Sequence, residues 1–205
     1  MADKAKTKPP REPAELELLS MALGKIPHML DNIDLARQAL QLEKQYGLLE
    51  HIEVYRDHPD RERLVYSTLG SYAQPITSMA AIQCRVLLEF LGLAVTKKEP
   101  YRLIARTSER GEGDIGIEDF TNLRGEQLKR LMPEDARKRV PNPLRAELAW
   151  VTTINFANLR LAHATDDYKL VGRSVRPHLH NAFRTVPILV RSIIEQAHHL
   201  PLKRG

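Results

Sequence analysis

The densest set of polar groups able to act on a phosphate lies in one helix-forming run, NFANLRLAHATDD, from Asn155 to Asp167. Placed on a helix at about 100° per residue, Trp150, Ile154, Ala157, Leu161 and Ala164 share one arc, the expected core face. Asn158 and Thr165 line up with each other inside that arc. Polar groups there would need buried partners, and Arg85 and Glu89, one turn apart on another helix, are the candidates. His163 points elsewhere, sharing a face with Phe156, Leu159, Arg160 and Asp167, because spacings of three, four and seven bring helical side chains together. That second face mixes apolar with polar groups, as a subunit contact lined by a small reactive site would.

Other constellations are weaker. Glu195 and His198 have the Glu-x-x-His spacing of di-iron bundles, but no second copy of it occurs. His178 and His180 are two apart, so on a helix they diverge and could not share a metal. The series RSVRPH offers Arg173, Arg176 and His178 as further phosphate-directed groups, with Pro177 marking a helix start. Gly111-Glu112-Gly113-Asp114 presents carboxylates where a phosphate loop would need backbone amides. No Ser-His-Asp arrangement, dinucleotide fingerprint or helix-turn-helix with a basic second helix stands out, and neither a metal nor a cofactor is expected.

Helical elements must position these groups. Met1 to Pro13 is basic and proline-rich and is expected to be a disordered leader. A helix is predicted from Ala14 to Leu23, stopped by Gly24 and Pro27, and a second over Asp31–Tyr46. The second carries an apolar stripe, Leu35, Ala39, Leu42 and Tyr46, and a polar one, Asp34, Arg37, Gln41 and Lys44. LLEHIEVYRDHPD reads as a strand or as a continuation of that helix, and Arg61 to Tyr72 as helical. Pro75 to Val95 is the most apolar segment, with Ile76, Met79, Ile82, Val86, Phe90 and Leu93 on the expected buried face. Helical periodicity then lapses, and a mobile loop is expected near 96–120. Long helices are predicted over Leu144–Asp167 and Pro177–Leu200, the latter with Pro187 inside it. The expected fold is all-α: one domain over 14–205, a bundle of about five to seven helices.

Composition narrows the classes. Hydrophobic residues at 42% and charged residues at 28% fit a folded chain rather than wholesale disorder. Lys and Arg total 31 against 26 Asp and Glu, and the net charge of +5 mildly favours anionic partners, nucleic acid included. Cys84 is the only cysteine, which rules out an intrachain disulfide, and its apolar flanks predict a buried thiol. The longest apolar run, Val86 to Val95, contains Glu89 and is too short to span a bilayer. No membrane attachment is expected, and a cytoplasmic protein is.

NLRLAHAT resembles the signature helix of the HEPN superfamily, in which an arginine, often followed by a polar residue, precedes a histidine after a short spacer. The apolar segment RVLLEFLGL, then a long loop, then the motif helix, adds to the likeness. The resemblance implies a compact helical bundle and metal-independent RNA cleavage, in which a 2′-hydroxyl attacks the adjacent phosphate. His163 would transfer protons and an arginine would hold the phosphate. This chain has Asn158 at the family's arginine position, and Arg160, three before His163, is the substitute. Asn158 would orient the site, with Arg85 and Glu89 supporting it. The resemblance also implies a homodimer with two motif helices facing one cleft, RNA as partner, and a toxin or phage-defence setting in which an antitoxin could be a protein partner. The alternative is a non-catalytic helical dimerisation or interaction module.

Overall fold

A computed structural model describes residues 13–57, 59–111, 113–122, 124–159, 169–170 and 172–197. Helix α1, Glu15–Ser20, continues through a π turn at Met21–Lys25 into α2, Ile26–Tyr46. The stop predicted at Gly24 and Pro27 does not occur. The Ile26 amide reaches back to the Met21 carbonyl, the wider hydrogen bond of a π turn. Pro27 falls in the first turn of α2, where a missing N–H is tolerated. Gly47, at a φ of 91°, ends α2 and donates its amide to the Glu43 carbonyl at 2.9 Å.

Strands β1, His51–Tyr55, and β2, Arg63–Thr68, form an antiparallel hairpin with His51 opposite Thr68 and Val54 opposite Val65. The helix expected from Arg61 gives way here because Val65, Tyr66 and Thr68 favour a pleated strand once β1 offers a partner. Thr68 then accepts the Ser71 amide at 3.3 Å and starts α3, Leu69–Phe90, which runs through Pro75. Its buried residues include Ala73, Ala80, Ala81, Cys84, Leu87 and Leu88, whereas Met79 and Val86 face outward. Of the predicted face, Phe90 and Leu93 are buried and Ile76 packs on the core, while at Met79 and Val86 the small residues turn inward instead, where they let neighbouring helices approach.

Beyond α3, β3 (Leu93–Val95) pairs antiparallel with β4 (Leu103–Ala105). The segment expected to be a mobile loop carries β4, a 3-10 turn at Ile117–Asp119 and an arginine clamp. Arg110 donates to the Phe90 carbonyl at 2.9 Å, one of the groups at a helix end that lack an intrahelical donor, and to the Glu89 carbonyl at 3.2 Å, which also accepts the Gly92 amide. It also grips both carboxylate oxygens of Glu118, at 2.8 and 2.9 Å, while Arg130 donates to the same carboxylate at 2.6 Å.

Helices α4 (Pro133–Lys138), α5 (Pro143–Leu159) and α6 (Arg176–Ala197) follow, with β5 (Lys169–Leu170) and β6 (Arg173–Ser174) as a further antiparallel pair. Among the described residues, three small two-stranded sheets thus interrupt the helices. The architecture is mixed α/β, which corrects the expected all-α bundle of five to seven helices. A single hydrophobic core still joins α2, α3, α5 and α6, with Ile33, Leu87, Trp150, Ile154, Phe183 and Leu189 inside it.

Helices α5 and α6 run in the same direction. Asn181 donates to the Arg145 carbonyl at 2.9 Å, and one turn further on the Trp150 indole donates to the Thr185 hydroxyl at 2.9 Å. Residue numbers rise together along both helices, so their N-terminal ends lie side by side. The C-terminal part of α2 lies at the same end, because Glu43 pairs with Arg176 there.

Candidate anion-binding groove

The residues singled out from the sequence do not come together as one described site. Arg85 donates to Glu89 at 2.9 Å, as their one-turn spacing predicts. Neither bonds to Asn158, which is exposed near the end of α5 rather than inside its buried arc. Asn155 takes the buried polar position instead, and Phe156, assigned to the mixed outer face, is 2% exposed. Arg160, His163 and Asp167 lie outside the described residues. The reason for these shifts is physical: α5 packs against α3, α6 and the β3–β4 pair, so most of its circumference from Ala149 to Ala157 is enclosed.

A different cluster is assembled by packing α2 against α6. On α2, Arg37 and Lys44 are seven apart and share a face with Leu40 close by. On α6, Arg176, His180 and Arg184 recur at intervals of four, on the side away from buried Leu179, Ala182, Phe183 and Val186. The two basic stripes border a cavity of about 610 Å³ lined by Leu40, Glu43, Lys44, Arg145, Arg176 and His180, and closed by Leu48 and Pro177. Among the described residues of this lining Glu43 is the one carboxylate, and Arg176 already occupies it through a close ion pair.

The cavity therefore carries net positive charge. Partial burial pushes the His180 imidazole below its ordinary value, and the cations Arg184, Arg37, Lys44 and Arg145 push it further in the same direction. His178, on the next turn face, is lowered by burial and by Arg145. Both rings thus favour the neutral form, and each would gain a proton more readily beside an anion. The N-terminal ends of α5 and α6 add their partial positive charge to the same end of the molecule.

Leu48 links this cavity to the β1–β2 hairpin. Its carbonyl accepts the Gly70 amide at 2.8 Å, and the Glu50 carbonyl accepts the Leu69 amide at 2.7 Å, which fastens the base of the hairpin beside the groove. Along the hairpin, Tyr66 is 61% exposed and stacks on His51 with ring centroids 5.5 Å apart. Arg63 lies over the Tyr66 ring and Arg61 over the Tyr55 ring. Exposed tyrosines with guanidinium groups over their rings offer planar surfaces on which unpaired bases can stack.

The sequence contained half of this signal. The polar stripe on α2 and the Arg176–His178 series were both visible, and their convergence was not. Elsewhere, Cys84 is fully buried, and its burial raises the thiol far above its ordinary value. Among the described residues, no three of His, Cys, Asp and Glu gather as a metal-ligating group, and no helix is long and apolar enough to cross a membrane. Compared with known families, curated proteins and solved structures, the chain matches none.

Proposed function

We propose that the protein binds RNA, holding backbone phosphates in the groove between α2 and α6. The observation that carries this reading is the convergence on His180 of Arg184, Arg37, Lys44 and Arg145, beside a carboxylate already neutralised by Arg176. Lys44 and Arg145 are placed to contact phosphate, and Leu40, Leu48 and Pro177 offer an apolar wall against which a base can rest. A single strand leaving the groove would meet Tyr55 and Tyr66 of the hairpin.

Cleavage is the further part of the proposal, and it rests on the HEPN-like motif rather than on the groove. In that reading His163 transfers protons, Arg160 holds the scissile phosphate and Asn158 orients it. Asn158 follows Arg145 by thirteen residues on α5, about 20 Å at the helical rise. The groove would then anchor the strand at a distance from the reacting bond. We place this activity in the cytoplasm, in a toxin or phage-defence setting with an antitoxin as a candidate partner.

The test is fluorescence anisotropy with a labelled single-stranded RNA. Lys44→Glu with Arg145→Glu should weaken binding by about tenfold or more and flatten its salt dependence, because fewer counterions are released. Lys97→Glu with Lys98→Glu, on the exposed loop before β4, should change it little. Equal losses in both double variants would mean that net charge alone governs binding and would remove the groove from the account.

A further inference from the structure

The outer face of α2 has the composition of a covered surface. Leu35 and Leu42 are each 43% exposed and Tyr46 is 56% exposed, although they form the apolar stripe of this helix. Ile33, Ala36, Leu40 and Glu43 are the residues turned toward the core instead. Gln38 lies between the outward leucines and Gln45 just beyond them, where lysines or glutamates would be usual. Solvated helix faces are ordinarily charged. The charge that does lie on this face is Asp31, which has no ionic partner among the described residues, with Asp34 at its border held by Arg37 at 3.1 Å.

We infer that this face is where a second copy of the chain docks, with the two α2 helices antiparallel about a two-fold axis between Gln38 and Ala39. Such an axis pairs residue numbers that sum to a constant, so the contact is self-complementary. Leu35 then meets Leu42 of the second copy, and Leu42 meets its Leu35. The same operation brings the Tyr46 hydroxyl of each chain toward the Asp31 carboxylate of the other, giving that acid a donor. The two Gln38 side chains fall beside the axis, where they can bond to each other without bringing like charges together. This is not the interface that the HEPN resemblance implies, in which the motif helices face each other, since the contact proposed here lies on α2. It is independent of the RNA reading, because Lys44 points to the groove side of α2 and not to this face.

The experiment is sedimentation equilibrium on the full chain, paired with covalent capture. The wild type should be dimeric in the micromolar range. Leu42→Glu should raise the dimer dissociation constant by about tenfold or more with unchanged circular dichroism. Leu16→Glu, at a 76% exposed leucine on α1, should leave it unaltered. Gln38→Cys, beside the axis, should give a cross-linked dimer with a short bis-maleimide. Cys84 is fully buried and will not compete for the reagent. A monomeric wild type, or a dimer that survives Leu42→Glu and fails to cross-link at position 38, would overturn the proposal.

Discussion

The side-chain amide of Asn181 on α6 donates to the backbone carbonyl of Arg145 on α5 at 2.9 Å. One bond thereby fixes the relative height of two parallel helices, and with it the position of Arg145 beside His180. Asn181 is 4% exposed, so water cannot replace the interaction. Its carbonyl oxygen also accepts from Arg184 at 3.2 Å, which holds a second basic group over the same groove.

Asn181→Ala should therefore lower stability by about 0.5–1.5 kcal/mol, since it removes the hydrogen bond that this buried side chain makes to the Arg145 carbonyl. It should also weaken RNA binding beyond what the stability loss explains. Urea denaturation gives the first quantity and anisotropy at a temperature well below unfolding gives the second. Unchanged RNA affinity in a destabilised variant would show that the register of α5 and α6 does not matter to the groove.

The pH dependence of binding follows from His180. Its folded value is lowered below the ordinary 6.5 by burial and by nearby cations. An anion in the groove would offset those cations and favour the protonated ring, so binding takes up a proton. Affinity should rise as pH falls through and below 6.5, and His180→Gln should remove much of that rise. Stability alone moves the other way, because the unfolded chain binds the proton more readily and gains on the native state as pH falls through the same range. Titrations in buffers of different ionisation enthalpy would report the proton uptake directly.

The clamp behind α3 has its own acid signature. Burial would raise the Glu118 carboxyl, but hydrogen bonds from Arg110 and Arg130 outweigh it and hold the group at about 2. Its contribution is complete above the ordinary value of 4.5 and is lost as pH falls from there toward 2. Glu118→Gln should cost about 2–3 kcal/mol at neutral pH and shrink that acid-dependent loss. Gly116→Ala should be comparably damaging, because a Cβ there would lie 2.0 Å from the Arg110 guanidinium. Thermal unfolding at pH 7 and pH 4 separates the two effects.

How much of this was legible depends on whether a feature is local. The end of α2 at Tyr46 and Gly47, the Arg85–Glu89 pair and the buried cysteine each follow from residues within a few positions. The strands were harder. Val65, Leu69 and Tyr72 recur at spacings that also suit a helix, and only the pairing of Arg63–Thr68 with His51–Tyr55 makes that part a strand. On α2 the arc of Leu35, Leu42 and Tyr46 was as apolar as the arc that packs. Ala36 and Ala39 decided the orientation, since small side chains let α3 and α6 approach closely. The groove was the least legible part, because Glu43 and Arg176 meet across 133 positions.

The cleavage proposal is tested on a denaturing gel with RNA and EDTA. Wild type should leave cyclic-phosphate ends. His163→Ala should slow cleavage by about 10²–10⁴-fold, the usual worth of a positioned proton-transfer group, with RNA affinity unchanged. Intact RNA in the presence of tightly binding wild type would reduce the function to binding alone.

The most direct test of the groove is to map where RNA touches the protein. Photo-cross-linking of a thiouridine-substituted single strand, read by mass spectrometry, should place adducts on peptides carrying Lys44, Arg145 and the Arg176–Arg184 turn pair of α6. Adducts confined to other surfaces, with none on those peptides, would contradict the account.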